Sequence, residues 1–458
     1  MMLMPRRVLA SKFVIFRQFV DDGLGCASYL IGDEHEGTAV IVDPAYAIDQ
    51  YLEEAERRHV RLARVLETHT HADHLSGHGR LALDHGCTVH IHPAAEAEYA
   101  HEPLADGATV DLGAVSICAI HTPGHRPEHC AFAVIDHTRA DEPWLVLTGD
   151  SLFIGDAARP DLAIEARAGA ERLFHSLRRL AELPDGVEVY PGHVAGSLCG
   201  AGMSAKASST IGFERRFNNA LTIQNEEDFI EESAGGSQLR PPNMERIVEL
   251  NRGPFVGAPQ ALDLVTNADG ATIVDVRDPD TFAAGHAYGA INIPIDGSVF
   301  STKSAFLFSP DETVVIHAAR EDEVERAARG LRAVALLDIA GYAVDPPDDE
   351  RLSPIELDEV ERLLSAGEIE VLDVREKDER DGGYIAGTRH IPYRLLRVCG
   401  DRVGEKPVVT ICNTGSRAAI AASVLTASGI DARPVLHGGV PTWQERGGHT
   451  VEFRRCGT

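Results

Sequence analysis

The chain has 458 residues, 44% hydrophobic and 25% charged, a globular composition that excludes a generally disordered protein. Asp and Glu outnumber Lys and Arg by 71 to 43, and the net charge of -28 argues against nucleic acid or an anionic membrane as partner. No apolar run reaches the ~18 residues that a membrane span needs. The eight cysteines include no C-x-x-C pair, which favours a reducing compartment. We therefore predict a soluble, cytoplasmic protein that acts on small molecules.

Short apolar strands, loops and a few helices alternate over the first half of the chain. The basic, acid-poor start could belong to a transit peptide, but a first strand at 13–20 is the preferred interpretation. Further strands are predicted at 38–43, 88–92 and 144–148, and an amphipathic helix at 168–183.

One sequence pattern occurs twice in the second half of the chain. Asp-Val-Arg stands at 275–277 and again at 373–375, and in both copies a Pro follows nineteen positions after the Asp. Each copy continues into Val-Val, a loop and an Ala-rich helical stretch. This alternation predicts two α/β domains with mainly parallel sheets. Pro-rich connectors near 251–259 and 345–354 then give predicted domains at 1–252, 253–346 and 353–458.

Potential metal ligands follow several predicted strands. The stretch 69–74 reads His-Thr-His-Ala-Asp-His directly after an apolar strand, and its four potential ligands cannot all point to one side of a strand. They fit a loop that curls round a cation. His125, Asp150 and His193 each follow a later strand in the same way. Imidazole and carboxylate suit Fe(II), Zn(II) or Mn(II) better than Ca(II).

A second candidate site lies in the last copy. A predicted strand at 408–411 runs into a six-residue loop and then a helix at 418–426; the loop is Cys412, Asn413, Thr414, Gly415, Ser416 and Arg417. Backbone N–H groups at a helix N-terminus stabilise a thiolate or an anionic persulfide. Arg417 adds a positive charge, and Gly415 allows the backbone to curl close to the sulfur. The short loop fits a sulfur-sized anion better than a phosphate, which disfavours a phosphatase.

The first of the two copies, which lies in the middle of the chain and is called the middle copy below, lacks these groups. Alignment on the Val-Val pairs puts Ala318 at the position of Cys412 and Glu323 at that of Arg417. We therefore expect no sulfur transfer there, and a role in packing or in orienting the other domains.

These motifs carry two family resemblances. The His-x-His-x-Asp-His motif resembles the metallo-β-lactamase superfamily, which implies an αββα sandwich. The Cys412 loop, with Asp-Val-Arg at 373–375, His-Ile-Pro at 390–392 and Gly-Gly at 438–439 before Trp443, resembles the rhodanese family. Together they resemble the persulfide dioxygenase–rhodanese fusions over essentially the whole chain.

The resemblance to the fusions implies a mononuclear Fe(II) site with His69, His125 and Asp150 as ligands and open positions for substrate and O₂. Four further side chains would orient these ligands, shape the pocket or hold a second metal: His71, Asp73, His74 and His193. The implied reaction oxidises a low-molecular-weight persulfide, such as glutathione persulfide, to sulfite, in sulfide detoxification or sulfur metabolism. Cys412 would exchange sulfane sulfur between persulfide or sulfite and thiosulfate. We also expect a homo-oligomer.

Two more positions are candidates by this resemblance. Arg159 and Asp161 match an Arg-x-Asp element, in which Arg159 would hold the loop or an anionic group. Cys199, in a Gly-rich stretch six residues after His193, would relay sulfur; Cys26 is a weaker candidate for the same role.

Two other functions remain open. All seven ligand types of glyoxalase II, a dinuclear thioester hydrolase, are present, so a zinc hydrolase fused to a sulfurtransferase is the main alternative. A sulfur-carrying or redox-sensing scaffold is disfavoured, because structural zinc sites are closed and usually contain thiolates.

Overall fold

The computed structural model describes residues 14–21, 23–161, 163, 165–194, 204, 206–234, 240–297, 299–400, 403–404 and 406–452. The chain divides into two compact units. One runs to Pro259 and includes Ala333–Ala335; the other comprises Gln260–Arg332 and the chain from Leu336 onward.

Two six-stranded sheets form the centre of the first unit. The first sheet contains, in spatial order, β1 (Val14–Val20), β2 (Ala27–Asp33), β3 (Thr38–Val42), β4 (Arg61–Leu66), β5 (Thr88–Ile91) and β6 (Glu102–Pro103). The second contains, in the order β12 to β7, β7 (Thr109–Asp111), β8 (Val115–His121), β9 (Cys130–Asp136), β10 (Pro143–Gly149), β11 (Glu188–Pro191) and β12 (Ser209–Thr210). The pairs β3–β4, β4–β5 and β10–β11 are parallel.

Helices cover the outer faces of both sheets. They are α1 (Asp49–Arg58), α2 (His78–His85), α3 (Ala166–Ala181), α4 (Ile211–Phe217), α5 (Asn219–Thr222), α6 (Glu226–Ala234) and α7 (Met244–Arg252). One apolar cluster lies between the sheets and includes Ile31, Val40 and Phe132. Two others lie between a sheet and its helices. Strands buried on both faces read as continuous apolar runs, as β3 does.

Helix α3 shows how one sequence pattern positions a layer. Leu173, Leu177 and Leu180 recur at helical spacing and are buried against the second sheet. The Glu165 carboxylate caps the helix by accepting hydrogen bonds from the backbone N–H groups of residues 167 and 168. The helix predicted at 168–183 is therefore present, shifted by two residues.

The second unit contains the two copies. The first has the sheet order β14-β13-β15-β16, from β13 (Thr272–Asp275), β14 (Ile291–Asn292), β15 (Val314–Ala318) and β16 (Ile339–Val344), with α8 (Pro279–Ala284), α9 (Phe300–Leu307) and α10 (Glu321–Ala333). The last copy has the corresponding order β19-β17-β20-β21, from β17 (Glu370–Asp373), β19 (Arg389–His390), β20 (Val408–Ile411) and β21 (Ala432–Pro434). All six strand pairings in these two sheets are parallel.

The remaining elements of the last copy surround its sheet. They are α11 (Leu357–Ala366), α12 (Lys377–Asp381), α13 (Leu396–Cys399), α14 (Ser416–Ala427), α15 (Val440–Glu445) and a ribbon of β18 (Tyr384–Ile385) with β22 (Thr450–Val451). The predicted fold class, an αββα sandwich followed by two α/β domains with parallel sheets, is confirmed. Among the described residues, no helix combines the length and apolar character required to span a membrane.

Candidate metal centre and cysteine loop

The predicted metal ligands gather where strands of the first unit end. The stretch 69–74 follows β4, His125 follows β8, Asp150 follows β10, and His193 follows β11. Strands β10 and β11 are parallel, and β8 runs in the same direction as β10 because two antiparallel steps separate them. Their carboxyl ends therefore meet at one edge, where loops leave the sheet.

Three of these side chains form a compact group. Ligand atoms of His69, His125 and Asp150 all lie within 4.8 Å of one another, and all three residues are buried. The His125 Nε2 and Asp150 Oδ2 atoms are 3.6 Å apart. Neither carboxylate oxygen of Asp150 makes a hydrogen bond within the described residues. Two imidazoles and an unsatisfied buried carboxylate fit a divalent transition-metal ion.

Hydrogen bonds fix which nitrogen of each histidine faces the group. The Thr68 hydroxyl donates to Asp43 Oδ2 at 2.8 Å, so its oxygen accepts from His69 Nδ1 at 2.9 Å. His125 Nδ1 donates to the Arg159 carbonyl oxygen at 3.0 Å. In both rings the proton is on Nδ1, and the Nε2 lone pair is available to a metal.

Burial sets the protonation states of the same group. It lowers the pKa of His69 well below its ordinary value, and it lowers that of His125 despite the opposing Asp150 carboxylate. Burial alone would raise the pKa of Asp150, but His193 and His125 outweigh it and hold that pKa below its usual range. The group thus contains neutral imidazoles and an ionised carboxylate, the forms that bind metal.

The other predicted side chains form a second group. Ligand atoms of His71, Asp73 and His74 also lie within 4.8 Å of one another. Asp73 joins the two groups through His193, whose Nε2 is 3.2 Å from Asp73 Oδ2 and 3.3 Å from Asp150 Oδ2. His71 Nδ1 and His74 Nε2 are buried without a hydrogen-bond partner in the described residues. The structure therefore brings all seven predicted ligand residues together.

Buried carboxylates that the sequence analysis missed orient this second group. His71 Nε2 lies 3.1 Å from Glu67 Oε2 and 3.2 Å from Asp43 Oδ1. Glu67 also accepts from Ser76 Oγ at 2.5 Å and contacts His78 Nδ1 at 3.0 Å. Asp43 and Glu67 each follow the last residue of a strand, β3 and β4, and that position was the available signal.

His129 is a further residue that sequence reasoning missed. Its Nε2 accepts the Asp150 backbone N–H at 2.9 Å, and its Nδ1 lies 2.8 Å from the Thr122 hydroxyl. Burial lowers the pKa of His129 to about 3, so the ring stays neutral and can accept this bond. It holds the turn that carries Asp150.

Arg159 and Asp161 form a bidentate pair, with nitrogen–oxygen distances of 2.6 and 2.7 Å. Arg159 is buried, and the ion pair with Asp161 holds it within the loop that follows β10. Cys199 lies outside the described residues. Cys26 is buried and bridges to His193 through its backbone; burial raises its pKa, and Asp21 and Asp73 add to the effect. The Cys26 side chain is therefore a neutral thiol.

In the last copy, Cys412 lies between β20 and α14 and is 1% exposed. The Gly415 backbone N–H donates to Cys412 Sγ at 3.1 Å, the one such donor within the described part of the loop. Gly415 has a φ of 102°, and a Cβ atom there would lie 1.8 Å from the Leu436 carbonyl oxygen. Only glycine fits this turn.

Arg417 does not face the sulfur as an uncompensated charge. Its guanidinium forms a bidentate pair with Glu379, at 2.5 and 2.7 Å, and Asn413 Nδ2 donates to the same carboxylate at 2.8 Å. The Glu379 hydrogen bonds raise the pKa of Arg417 further above its ordinary value. The expected positive charge is therefore present but balanced by a carboxylate that the sequence analysis did not identify.

The middle copy follows the predicted alignment. Ala318 ends β15, and the Glu323 carboxylate accepts the Ala319 backbone N–H at 2.9 Å. Arg320 Nη1 lies 2.8 Å from the same carboxylate. A carboxylate of the chain itself thus accepts a backbone N–H of this loop, at the position that aligns with Asn413.

Comparisons with known proteins agree with this division of the chain. The family model of the metallo-beta-lactamase superfamily matches residues 21–193, and the model of the rhodanese-like domain matches residues 258–343 and 356–446.

Two curated relatives each match somewhat less than half of the chain. The persulfide dioxygenase ETHE1 of Bos taurus is 31% identical over 217 residues, which are 47% of this chain and 78% of that protein. A probable polyketide biosynthesis zinc-dependent hydrolase, BaeB of Bacillus velezensis, is 29% identical over 192 residues, 41% of this chain and 80% of that protein. Among solved structures, a metallo-beta-lactamase from Staphylococcus aureus has a TM-score of 0.67 at 28% identity and covers 73% of this chain and 99% of that one.

Proposed function

This chain belongs to the metallo-beta-lactamase superfamily, as an ETHE1-like domain fused to rhodanese-like domains, and from that premise we propose that it oxidises small-molecule persulfides with O₂. The balanced reaction takes R–S–SH, O₂ and water to R–SH, sulfite and two protons. We assign this reaction to residues 1–252, no transfer chemistry to 253–346, and sulfur transfer to 353–458.

The single observation that carries the proposal is the group formed by His69, His125 and Asp150. We propose that it holds one Fe(II), a two-histidine, one-carboxylate arrangement that leaves positions open. Bound iron would supply the O₂ chemistry that amino-acid side chains lack. Thr68 and the Arg159 carbonyl orient the two imidazoles, and His129 holds the backbone of Asp150.

We further propose that Cys412 carries sulfane sulfur as a persulfide. The Gly415 N–H, 3.1 Å from Sγ, stabilises the anionic sulfur. Sulfite can accept the outer sulfur to give thiosulfate, and thiosulfate can charge Cys412 in the reverse direction. In either direction one S–S bond breaks as another forms, and no oxidant is required.

The first test measures O₂ consumption and metal content on the same sample of Fe(II)-loaded, anaerobically purified protein, with glutathione persulfide as substrate. We expect rapid uptake with about one iron per chain. Asp150→Asn should lose both iron and uptake, since it removes a ligand charge, whereas Asp141→Asn changes an exposed carboxylate and should retain both. An iron-loaded and active Asp150→Asn variant would contradict the ligand assignment.

A second candidate function is a dinuclear zinc thioester hydrolase joined to a sulfurtransferase. The compact group of His71, Asp73 and His74 favours it, since a second ion could be held beside the first. The zinc-dependent hydrolase BaeB is also a relative. About two zinc ions per chain, hydrolysis of a glutathione thioester and no O₂ uptake would replace the dioxygenase with this function.

A further inference from the structure

Helix α9 of the middle copy carries a buried lysine. Lys303 is 6% exposed, and within the described residues its ammonium has neither a hydrogen bond nor an ion pair. Burying an uncompensated charge is costly, so an unpaired lysine at such a position usually serves a ligand or a reaction. The middle copy has no thiol of its own that could use this charge.

The lysine lies beside the cysteine loop of the last copy. A Cβ atom placed on Gly297 would lie 3.5 Å from Lys303 Nζ and 3.9 Å from Ser416 Oγ. Ser416 directly follows Gly415 in the loop, and its buried hydroxyl has no hydrogen-bond partner in the described residues. One cationic and one polar group, each without a partner among the described residues, therefore lie next to each other beside Gly297.

The electrostatics agree with this placement. Burial lowers the pKa of Lys303, the Arg417 charge lowers it further, and the charge on Cys412 opposes both. Lys303 is thus close enough to interact electrostatically with both Cys412 and Arg417. Because Glu379 balances Arg417, Lys303 is the cation near Cys412 that no carboxylate of the described chain neutralises.

Contacts between the two copies hold α9 in place. Arg397 Nη1 donates to the carbonyl of Leu307, the last residue of α9, at 2.8 Å. The Arg394 guanidinium lies 5.6 Å from the ring centre of Phe306 on the same helix. The Asn292 backbone N–H also donates to Ser423 Oγ of α14 at 3.0 Å, in a buried position.

We propose that Lys303 of the middle copy is a substrate-binding residue of the Cys412 site and holds the sulfonate end of thiosulfate. The inference rests on the sulfur transfer proposed for Cys412. In that step the thiolate attacks the outer sulfur of thiosulfate, the S–S bond breaks, and sulfite leaves with the bonding electron pair. Cys412 becomes a persulfide anion. Lys303 stays protonated and stabilises the charge on the departing sulfite.

The test compares Lys303→Met and Lys303→Arg with Lys406→Met, which removes an exposed lysine whose Nζ donates to the Gly367 carbonyl. The readout is the KM for thiosulfate and kcat in transfer to a thiol. We expect Lys303→Met to raise the KM about tenfold or more with a smaller change in kcat, because one charge-assisted contact is lost. Lys303→Arg should retain part of the binding, and Lys406→Met should match the wild type. An unchanged KM in Lys303→Met would overturn the inference.

A second measurement does not depend on turnover. Iodoacetate is an anion and iodoacetamide is neutral, so the ratio of their alkylation rates at Cys412 reports the positive charge near the sulfur. This ratio should fall in Lys303→Met and stay unchanged in Lys406→Met. If Lys303→Met fails to fold, Gly297→Ala replaces it in the KM measurement, since its methyl group would enter the proposed anion site and should raise the KM for thiosulfate while the lysine remains.

Failure of the inference can be separated from failure of the proposed function. Formation of the Cys412 persulfide from glutathione persulfide should be retained in Lys303→Met. The leaving group in that reaction is glutathione, which has no sulfonate for Lys303 to bind. If the wild type forms no Cys412 persulfide from either donor, sulfur transfer itself is wrong. If it does, and the KM of Lys303→Met and the alkylation ratio are both unchanged, only the role of Lys303 is wrong.

Discussion

The two rhodanese-like copies share one fold and differ in what their loops can do. Both have the same spatial order of four parallel strands, and in both the loop after the third strand leads into a helix. The last copy places a buried thiol and an arginine in that loop, whereas the middle copy places Ala318 and Glu323 there. The sheet and its core therefore tolerate the replacement of both loop side chains.

The Asp–Arg turn separates structure from chemistry in these copies. Asp275 pairs with Arg277, and Asp373 pairs with Arg375. In each copy the arginine also donates to a glycine carbonyl eight residues further along, at 3.0 Å for Arg277 and 2.8 Å for Arg375. Because the pair is present in the copy without a thiol, its role is to close the turn after the first strand.

The largest expected effect comes from exchanging the residues that distinguish the loops. Cys412→Ser should abolish transfer between thiosulfate and a thiol, because the hydroxyl cannot carry sulfane sulfur, and should leave persulfide-dependent O₂ uptake intact. Ala318→Cys should not create a second transfer site, because Glu323 already binds the loop N–H and repels an anionic sulfur. Persulfide formed on each cysteine, read by mass spectrometry, checks both. Transfer by Cys412→Ser, or charging of residue 318, would contradict the comparison.

The next effect concerns stability. Gly415→Ala should destabilise the last copy by about 3 kcal/mol or more, since its Cβ would collide with the Leu436 carbonyl at a positive φ. Gly429→Ala is the matched control, because its φ is +81° but nothing lies within 4 Å of the added Cβ. That variant should lose only about 1 kcal/mol. Chemical denaturation measures both, and equal losses would show that the close approach to Leu436 is not limiting.

The smallest effect tests whether the copies stabilise each other. Arg397 of the last copy forms a bidentate pair with Glu312 of the middle copy, with both distances 2.8 Å. Burial alone would raise the pKa of Glu312, but hydrogen bonds from Arg397 and Thr272 outweigh it and hold that pKa below its ordinary value. Glu312→Gln should therefore cost about 1 kcal/mol of unfolding free energy at neutral pH.

The sign of the pH dependence follows from the lowered pKa of Glu312. Stabilisation is fully present above the pKa of the unfolded carboxyl, about 4.3, and is lost as the pH falls through the lower pKa of the folded state. The difference between wild type and Glu312→Gln should thus shrink in acid. Glu325→Gln, at an exposed position, should show no difference at any pH. A difference for Glu312→Gln that persists in strong acid would exclude the ion pair as its cause.

Local patterns predicted much of this molecule because they encode local geometry. The His-x-His-x-Asp-His stretch and the Cys412 loop each follow the end of a strand. Strand ends can be predicted from apolar runs that are followed by polar residues. The register of β15 and β20 also places Ala318 where Cys412 lies, as the Val-Val alignment predicts.

The partners of these residues could not be predicted in the same way. Glu379 reaches Arg417 across 38 positions, and Lys303 approaches a loop more than a hundred residues away. Neither residue belongs to a sequence motif. The contact of each with the Cys412 loop depends on packing between elements that are distant in the sequence, so the sequence alone does not predict it. Buried Asp43 and Glu67 looked like ordinary strand-end carboxylates until the fold placed His71 between them.

The Glu323 carboxylate has a consequence for how the whole chain responds to dissolved anions. Because it is covalently tethered beside the Ala319 N–H that it accepts, it competes with a free anion for that N–H group at a high effective concentration. A free anion that approached this N–H group would have to displace a buried carboxylate of the chain itself. Titration of the full chain with sulfite or thiosulfate should accordingly report one anion-responsive rhodanese loop, although the chain contains two copies of the fold.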